Sequence, residues 1–306
     1  MEEGSQVSLS AIIINYQGRD FLPRTLSSLE AELARLELRS EIILVDNAST
    51  DGSLSVVREK FPSVKVIQLS ENCGFARAAN IGAAQSRGDW LFFLNNDVEL
   101  LPDCLQPLIT FLSEHEAYAI AAPGVFNPDQ SFQLSFGRDL GLMSEFFLKY
   151  LAQPWYKLVY QLRKERMERD VAWVSGVALV IRRPMFFAVG GFDERFFFYI
   201  EDADLGRRLR SRGFKIRYLP QARLIHYRGA VASRFPRLSL TEAKKSQLLY
   251  YSLYHGPVSQ RLLRIYLWAQ FRAKILWAGW RGDEDRKSIY SEVLRIVRSF
   301  GDASSA

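Results

Sequence analysis

The sequence is short of the residues that build covalently or metal-clipped scaffolds. Its 306 residues hold two cysteines, Cys73 and Cys104, and three histidines. Neither a disulfide framework nor a cysteine-rich zinc module is available, and a reducing cytoplasm is the expected compartment. No Walker-type glycine-Lys-Ser/Thr loop occurs, and Cys73-Gly74 lacks the Gly-x-Gly-x-x-Gly spacing that lets a backbone approach a dinucleotide, which argues against a P-loop enzyme and a dehydrogenase. The Met-Glu-Glu-Gly start is acidic, and the apolar stretch 9–14 is too short for a signal peptide. Long uncharged apolar runs are also missing. The greasiest C-terminal stretch, 262–280, contains Arg264, Arg272 and Lys274, which argues against a spanning helix.

What remains is ordinary folded composition, 48% hydrophobic and 24% charged, in a chain long enough for a sizeable core. A formal charge of +6 suits an anionic partner such as a phosphorylated substrate or a membrane surface. No nucleic-acid motif accompanies it.

Apolar runs at 8–14, 41–45, 64–69 and 90–94 read as strands, separated by stretches with helical spacing such as 21–36. That alternation predicts an α/β fold with a mostly parallel sheet flanked by helices. Three of the strands end in polar clusters that must share one sheet edge: Asn15-Tyr16, Asp46-Asn47 and Asn95-Asn96-Asp97. Ligands in open α/β sheets bind at that edge, where Asp97 would offer a hard oxygen to Mg²⁺ or Mn²⁺ and, through the ion, a post for a diphosphate. Each cluster alone is equally compatible with a turn; three together favour a nucleotide site.

A second constellation starts in 171–181, a predicted strand carrying Gly176 in its middle, where a bulge or a close ligand approach is expected. Then come Gly190-Gly191-Phe192-Asp193-Glu194, an aromatic run 196–199 and Glu201-Asp202-Ala203-Asp204-Leu205, leading into a helix that Gly213 stops. Acids at a helix start favour its dipole, and Asp204 is expected to bond back to the preceding turn. A carboxylate beside aromatic rings is also a good general base. A strand at 214–219 is followed by His226, whose position, with Arg228 nearby, leaves a metal or phosphate role open. The stretch 144–169, interrupted at Pro154, reads as an amphipathic lid or surface helix.

Taken together, these motifs in this order resemble the inverting family 2 glycosyltransferases of the GT-A (Rossmann-like) fold, in their rhamnosyltransferase-like branch. The match runs over roughly residues 8–235, from Ile12-Ile13-Ile14-Asn15-Tyr16 through Asp46-Asn47-Ala48-Ser49-Thr50-Asp51, Asn72-Cys73-Gly74-Phe75-Ala76-Arg77-Ala78-Ala79-Asn80 and Leu94-Asn95-Asn96-Asp97 to Glu201-Asp202 and His226. The resemblance implies that Asn15, Tyr16, Asp46, Asn47, Asp51, Asn80, Asn95 and Asn96 hold the nucleotide-sugar. It implies Asp97 and His226 as ligands of Mg²⁺ or Mn²⁺, Asp202 as catalytic base with Glu201 beside it, and an acceptor site at Trp173 and Gly176. Asn95 departs from the acidic first position of the family's Asp-x-Asp motif. The implied donor is dTDP-rhamnose or a UDP-sugar, and the implied acceptor a glycan or polyprenyl-diphosphate-linked sugar of the cell envelope. A scaffold protein that binds nucleotide sugar without turnover, or a nucleotidyltransferase on a similar sheet, are the competing readings.

From about residue 239 the sheet pattern gives way to helices through Tyr254, over 258–280 and over 284–300. The expected division is a GT-A domain, 1–238, and a helical extension, 239–306. In the middle helix Leu262, Tyr266, Ala269, Ala273, Leu276 and Trp280 recur at helical spacing among Arg261, Arg264, Arg272 and Lys274. This stripe either packs on the catalytic domain or lies on an anionic leaflet, peripheral at the inner face of the membrane.

Overall fold

Strand β1 (Leu9–Asn15) is buried at every position, and its side chains divide by parity. Leu9, Ala11 and Ile13 enter one hydrophobic core, Ile12 and Ile14 another. A continuous apolar run is what a strand needs when helices cover both faces of its sheet. The computed structural model describes residues 8–36, 38–141, 167–227 and 234–300; 144–166 of the expected amphipathic stretch, and Arg228, lie outside them.

After β1 come α1 (Leu22–Arg35), β2 (Ser40–Asp46), α2 (Ser53–Lys60), β3 (Lys65–Gln68), α3 (Phe75–Ala84), β4 (Trp90–Asn95), β5 (Val98–Leu100), α4 (Leu105–Glu114) and β6 (Tyr118–Phe126). Short strands β7 (Phe132–Gln133), β8 (Phe136–Gly137), β9 (Arg169–Asp170) and β10 (Trp173–Val174) precede β11 (Ala178–Arg182), α5 (Arg183–Ala188), α6 (Glu201–Ser211) and β12 (Lys215–His226). The main sheet runs β3-β2-β1-β4-β11-β6-β12-β5. Pairs β3–β2, β2–β1, β1–β4 and β6–β12 are parallel; β11 is antiparallel to both neighbours, as is β5 to β12. Helices α1, α2 and α4 line one core, and α3, α5 and α6 the other.

The expected strand 171–181 is two strands. β10 pairs with β8 in a separate small sheet, β11 joins the main sheet, and Ser175-Gly176-Val177 breaks the run between them. The break turns the Gly176 N–H away from any ladder and toward a side chain described below. Conversely, the expected strand 214–219 and the segment reaching His226 are one strand, β12, with an irregularity between Leu219 and Arg223.

One buried acid ties the helical layer together. Glu32 of α1 accepts hydrogen bonds from the backbone N–H groups of Asp103, Cys104 and Leu105 at 2.8–3.2 Å, serving the start of α4, whose own preceding residue is a cysteine that makes no side-chain cap. Its other contact is Arg35 at 2.8 Å. Glu32→Ala strands three donors at once, so a loss of about 2–4 kcal/mol in a denaturant melt is expected. A loss below about 0.5 kcal/mol would refute this account.

Helices α7 (Pro236–Tyr254), α8 (Pro257–Trp280) and α9 (Glu284–Ser299) form a third core, to which the sheet domain contributes Phe196 and Ala203. In α8 the buried stripe is Leu263, Leu267 and Phe271. The stripe singled out from the sequence is instead largely outward: Leu262, Ala269, Ala273, Leu276 and Trp280 are exposed. Spacing alone does not distinguish two apolar stripes on opposite faces of one helix.

Candidate functional site

The parallel registers bring the ends of three strands together, with Asn15 opposite Asp46 and Ile14 opposite Asn95. Behind this edge the polar side chains bond to one another. Asn15 donates to Asp46 (2.7 Å), Ser49 and Ser53 and accepts from Asn96 (2.7 Å). Asp46 also accepts from the Ser49 N–H. Asn15 and Asp46 are fully buried and brace the loop ends. Asp51 accepts from the Arg19 N–H, in the loop before α1, and from the Ser53 N–H at the start of α2.

In front of them opens a cavity of about 890 Å³, lined on this side by Tyr16, Asn47, Asn72, Asn95, Asn96 and Asp97. Asn47 is fixed by both ends of its amide, donating to the Gly74 carbonyl (3.1 Å) and accepting from the Cys73 N–H (2.9 Å). Thr25 accepts from the Val98 N–H, and its hydroxyl lies 2.9 and 2.7 Å from the Asn96 and Val98 carbonyls. Asp97 is thereby held on a turn bonded on both sides.

Asp97 Oδ1 lies 3.2 Å from His226 Nε2, because β5 runs antiparallel to β12 with His226 opposite Val98. The far ring nitrogen, Nδ1, meets the Gln133 amide, 3.2 Å from Oε1 and 2.9 Å from Nε2. Two tautomers fit these distances: with Gln133 Nε2–H donating to Nδ1, Nε2–H donates to Asp97, and with Nδ1–H donating to Gln133 Oε1, Nε2 offers its lone pair to a cation beside the carboxylate. In the second, one oxygen and one nitrogen donor are aimed at a common point, with the imidazole oriented from behind as metal-binding histidines are. This donor set fits a divalent ion that takes its other ligands from a bound diphosphate. Among the described residues no cluster of three His, Cys, Asp or Glu offers a complete protein cage.

Trp173, Ser175, Gly176, Glu201 and Asp202 line the same cavity. Asp202 Oδ2 accepts from the Gly176 N–H (3.0 Å), the donor freed by the break between β10 and β11, and Oδ1 from the Ala203 N–H (2.7 Å). Burial pushes the Asp202 carboxyl up to about 6 against the pull of these hydrogen bonds. Burial, and next the Asp202 charge, push Glu201 well above the ordinary carboxylate range. Glu201 Oε2 has no hydrogen-bond partner among the described residues. A carboxyl set at about 6, as at Asp202, can hold and release a proton near neutrality, as an acid or base must. Asp204, expected to bond back to the preceding turn, instead points inward to Arg208 (2.6 Å) and accepts from the Tyr254 hydroxyl.

The pair is presented by an unusual backbone. Tyr199 and Ile200 both adopt left-handed φ, 71° and 70°, a costly conformation for a β-branched residue. Three bonds hold it: the Phe75 N–H donates to the Phe197 carbonyl (2.8 Å), Ser246 Oγ to the Phe198 carbonyl (2.9 Å), and the Tyr199 hydroxyl meets Ser239 Oγ at 2.5 Å. Gly74 is required for this approach, since a Cβ there would stand 2.3 Å from the Phe197 carbonyl oxygen at φ +84°.

Asn80, expected at the donor site, is placed elsewhere. It donates to the Phe192 carbonyl (2.9 Å) and to Glu194, and accepts from the Phe192 N–H (2.9 Å), pinning the Gly190-Gly191 turn to α3. Asn80→Ala is therefore expected to destabilise by about 1–3 kcal/mol while leaving the KM for a nucleotide sugar within twofold. A large KM effect in a variant that melts normally would return Asn80 to the donor site. Gln133, Ser239 and Ser246 escaped the sequence reading, because isolated polar residues on a short strand and a helix carry no spacing signal.

Residues 10–186 match the family model described as Glycosyl transferase family 2. The N-acetylglucosaminyl-diphospho-decaprenol L-rhamnosyltransferase of Mycobacterium tuberculosis is 32% identical over 248 residues, covering 74% of this chain and 81% of the relative. Rhamnosyltransferase WbbL of Escherichia coli is 26% identical over 226 residues, 71% of this chain and 82% of WbbL. Among solved structures, S. aureus TarS 1-349 superposes with TM-score 0.52 at 15% identity over 95% of this chain and 91% of that one. GalNAc-T7 with UDP, GalNAc and Mn²⁺ superposes with TM-score 0.56 at 18% identity, over 81% of this chain and 50% of that one. At such identities these two likenesses speak for the fold.

Proposed function

The chain belongs to glycosyl transferase family 2, and on that premise we propose that it is an inverting, metal-dependent glycosyltransferase. It moves a sugar from a nucleoside-diphosphate donor, dTDP-rhamnose or a UDP-sugar, to a lipid-linked acceptor of envelope polysaccharide synthesis. The observation that carries this reading is one cavity lined by two chemistries: Asp97 and His226 beside the strand ends, Asp202 and Glu201 at the start of α6. Tyr16, Asn47, Asn95 and Asn96 line the donor half, braced by Asn15, Asp46 and Asp51, and Trp173 and Gly176 shape the acceptor half.

Asp202, the stronger acid of the pair and the one whose two oxygens are fixed by backbone N–H groups, takes the acceptor hydroxyl proton. The acceptor oxygen bonds to the anomeric carbon as that carbon's bond to the diphosphate oxygen breaks on the opposite face, inverting the centre and releasing nucleoside diphosphate. Glu201, kept neutral by burial and by its neighbour's charge, leaves Asp202 as the single base. Asp97 and His226 would hold Mg²⁺ or Mn²⁺, which when bound neutralises charge on the leaving diphosphate.

A lipid-linked acceptor is supported by the M. tuberculosis relative, whose name specifies a decaprenol diphosphate. It is supported too by α8, whose 24 residues contain no Asp or Glu and whose Val258, Leu262, Leu276 and Trp280 are exposed. None of the described helices is long and apolar enough to cross a membrane, so the reading is of peripheral contact through 258–280. On this reading 1–238 carries the donor chemistry and 239–306 faces the acceptor.

Thermal shift against a panel of nucleotide sugars with Mn²⁺ tests the core of it. One dTDP- or UDP-sugar is expected to raise the melting temperature, since ligand binding stabilises as the logarithm of ligand over Kd, and to release nucleoside diphosphate on turnover. No shift with any donor would overturn the assignment.

A further inference from the structure

A second cavity, of about 930 Å³, lies away from the chemistry, between α7, α8 and α9. Its walls are mostly apolar, among them Leu248, Leu263, Ile265, Trp268, Val297 and Phe300, and the charged residues along it, among the described residues, are Arg261, Arg264 and Arg298. Among the described residues no acid lines it. Ile265 and Trp268 stand at its mouth, 55% and 44% exposed, where the groove runs out onto the outward face of α8. An apolar trough with a purely cationic rim suits a hydrocarbon chain drawn from among anionic headgroups better than it suits a protein helix, which would bring polar backbone ends and charges of both signs.

Helix α7 connects this groove to the catalytic cavity. Leu238 lines the cavity holding Asp202, and Leu248 and Ser252, on the same side of the helix, line the groove. At 1.5 Å per residue the two sites lie about 15–20 Å apart along one rigid element. A lipid whose sugar headgroup sits at Asp202 would lead its tail along α7 toward the groove.

We propose that the groove between α7, α8 and α9 binds the isoprenoid tail of the lipid-diphosphate acceptor, so that this helical unit selects acceptors by their chain. The inference rests on the transferase reading above for the identity of the lipid, but not for the existence of the site.

Equilibrium dialysis of the full-length chain with farnesyl diphosphate and isopentenyl diphosphate, both below micellar concentration, tests it directly. These probes share a diphosphate and differ in fifteen against five carbons, so any preference reports the tail. The farnesyl compound is expected to bind at least tenfold more tightly. The double variant Ile265→Ser/Trp268→Ser, at two half-exposed positions that spare the buried stripe, should reduce the preference to within twofold. Leu276→Ser/Trp280→Ser, on the outward face beyond the groove, should retain it. Equal binding of both probes to the wild type, a preference that survives in the groove variant, or one lost equally in the Leu276/Trp280 variant would each overturn the proposal. Donor-induced thermal shift in Mn²⁺, measured without lipid, separates this from the parent reading: no shift with any nucleotide sugar alongside an intact tail preference would sink the donor assignment and leave the groove standing.

Discussion

Asp202→Asn is expected to lower turnover about 10²–10⁴-fold, the usual worth of a positioned general base, while donor affinity measured by thermal shift stays within twofold. The asymmetry follows from the site. Asp202 is carried at the start of α6, bonded to Gly176 and Ala203, whereas the proposed donor contacts come from the strand ends and their loops. The wild-type rate should fall as pH drops through about 6, where burial has set the Asp202 carboxyl, and this limb should vanish in the residual activity of the variant. The sign for stability runs the opposite way. A carboxyl raised above its unfolded value favours the fold when protonated, so this contribution is present below the ordinary range near 3.8 and is lost as pH rises through about 6. At pH 8 Asp202→Asn removes a buried charge at the cost of one backbone hydrogen bond, and is expected to melt no lower than wild type. Near-normal turnover, or a clear drop in melting temperature at pH 8, would count against Asp202 as the buried base.

Asp97→Ala should be the other severe substitution, and its loss should appear in binding. A unit charge pair about 4 Å apart at an effective dielectric of 20 is worth roughly 4 kcal/mol, which is about a 10³-fold loss of kcat/KM. The donor-induced thermal shift in Mn²⁺ should largely disappear. His226→Ala should weaken the metal requirement less, because it removes a neutral ligand and leaves the carboxylate. Chelation with EDTA should abolish wild-type turnover, and excess Mg²⁺ or Mn²⁺ should restore it. Undiminished turnover in EDTA would remove the metal from the mechanism and leave the contact between Asp97 and His226 as an internal one.

The parts of this architecture that were readable in advance are those governed by period and position. The apolar runs of β1, β2 and β4 had to be buried on both faces, their alternation with helices required parallel pairing, and parallel pairing required Asn15, Asp46 and Asn95 to finish at one edge. What composition does not encode is which polar group faces inward. Asn15 and Asp46 spend their hydrogen bonds on each other, and Asn80 on the Phe192 turn, although by residue type they look no different from Asn47 at the cavity wall. At Gly176 the glycine itself signalled a bulge or a close approach, but not that the strand would end there and restart in another sheet. A strand interrupted so that one N–H can meet Asp202 has the same hydropathy as one that continues. Nor does Phe198-Tyr199-Ile200 advertise a left-handed pair, since that conformation is imposed by distant serines rather than preferred locally.

That imposed conformation changes what counts as the catalytic unit. The family match stops at residue 186, yet the backbone that delivers Glu201 and Asp202 is clamped by Ser239 and Ser246 of α7, in the segment that reads as an appendage. A chain cut at 238 would keep the proposed donor-side residues up to Asp97 and His226 and lose the Ser239 and Ser246 contacts that hold the proposed base in place. If the proposed roles hold, exchanging these C-terminal helices for those of a relative is expected to change alignment of the proposed base together with acceptor choice, so that the two properties move as one block.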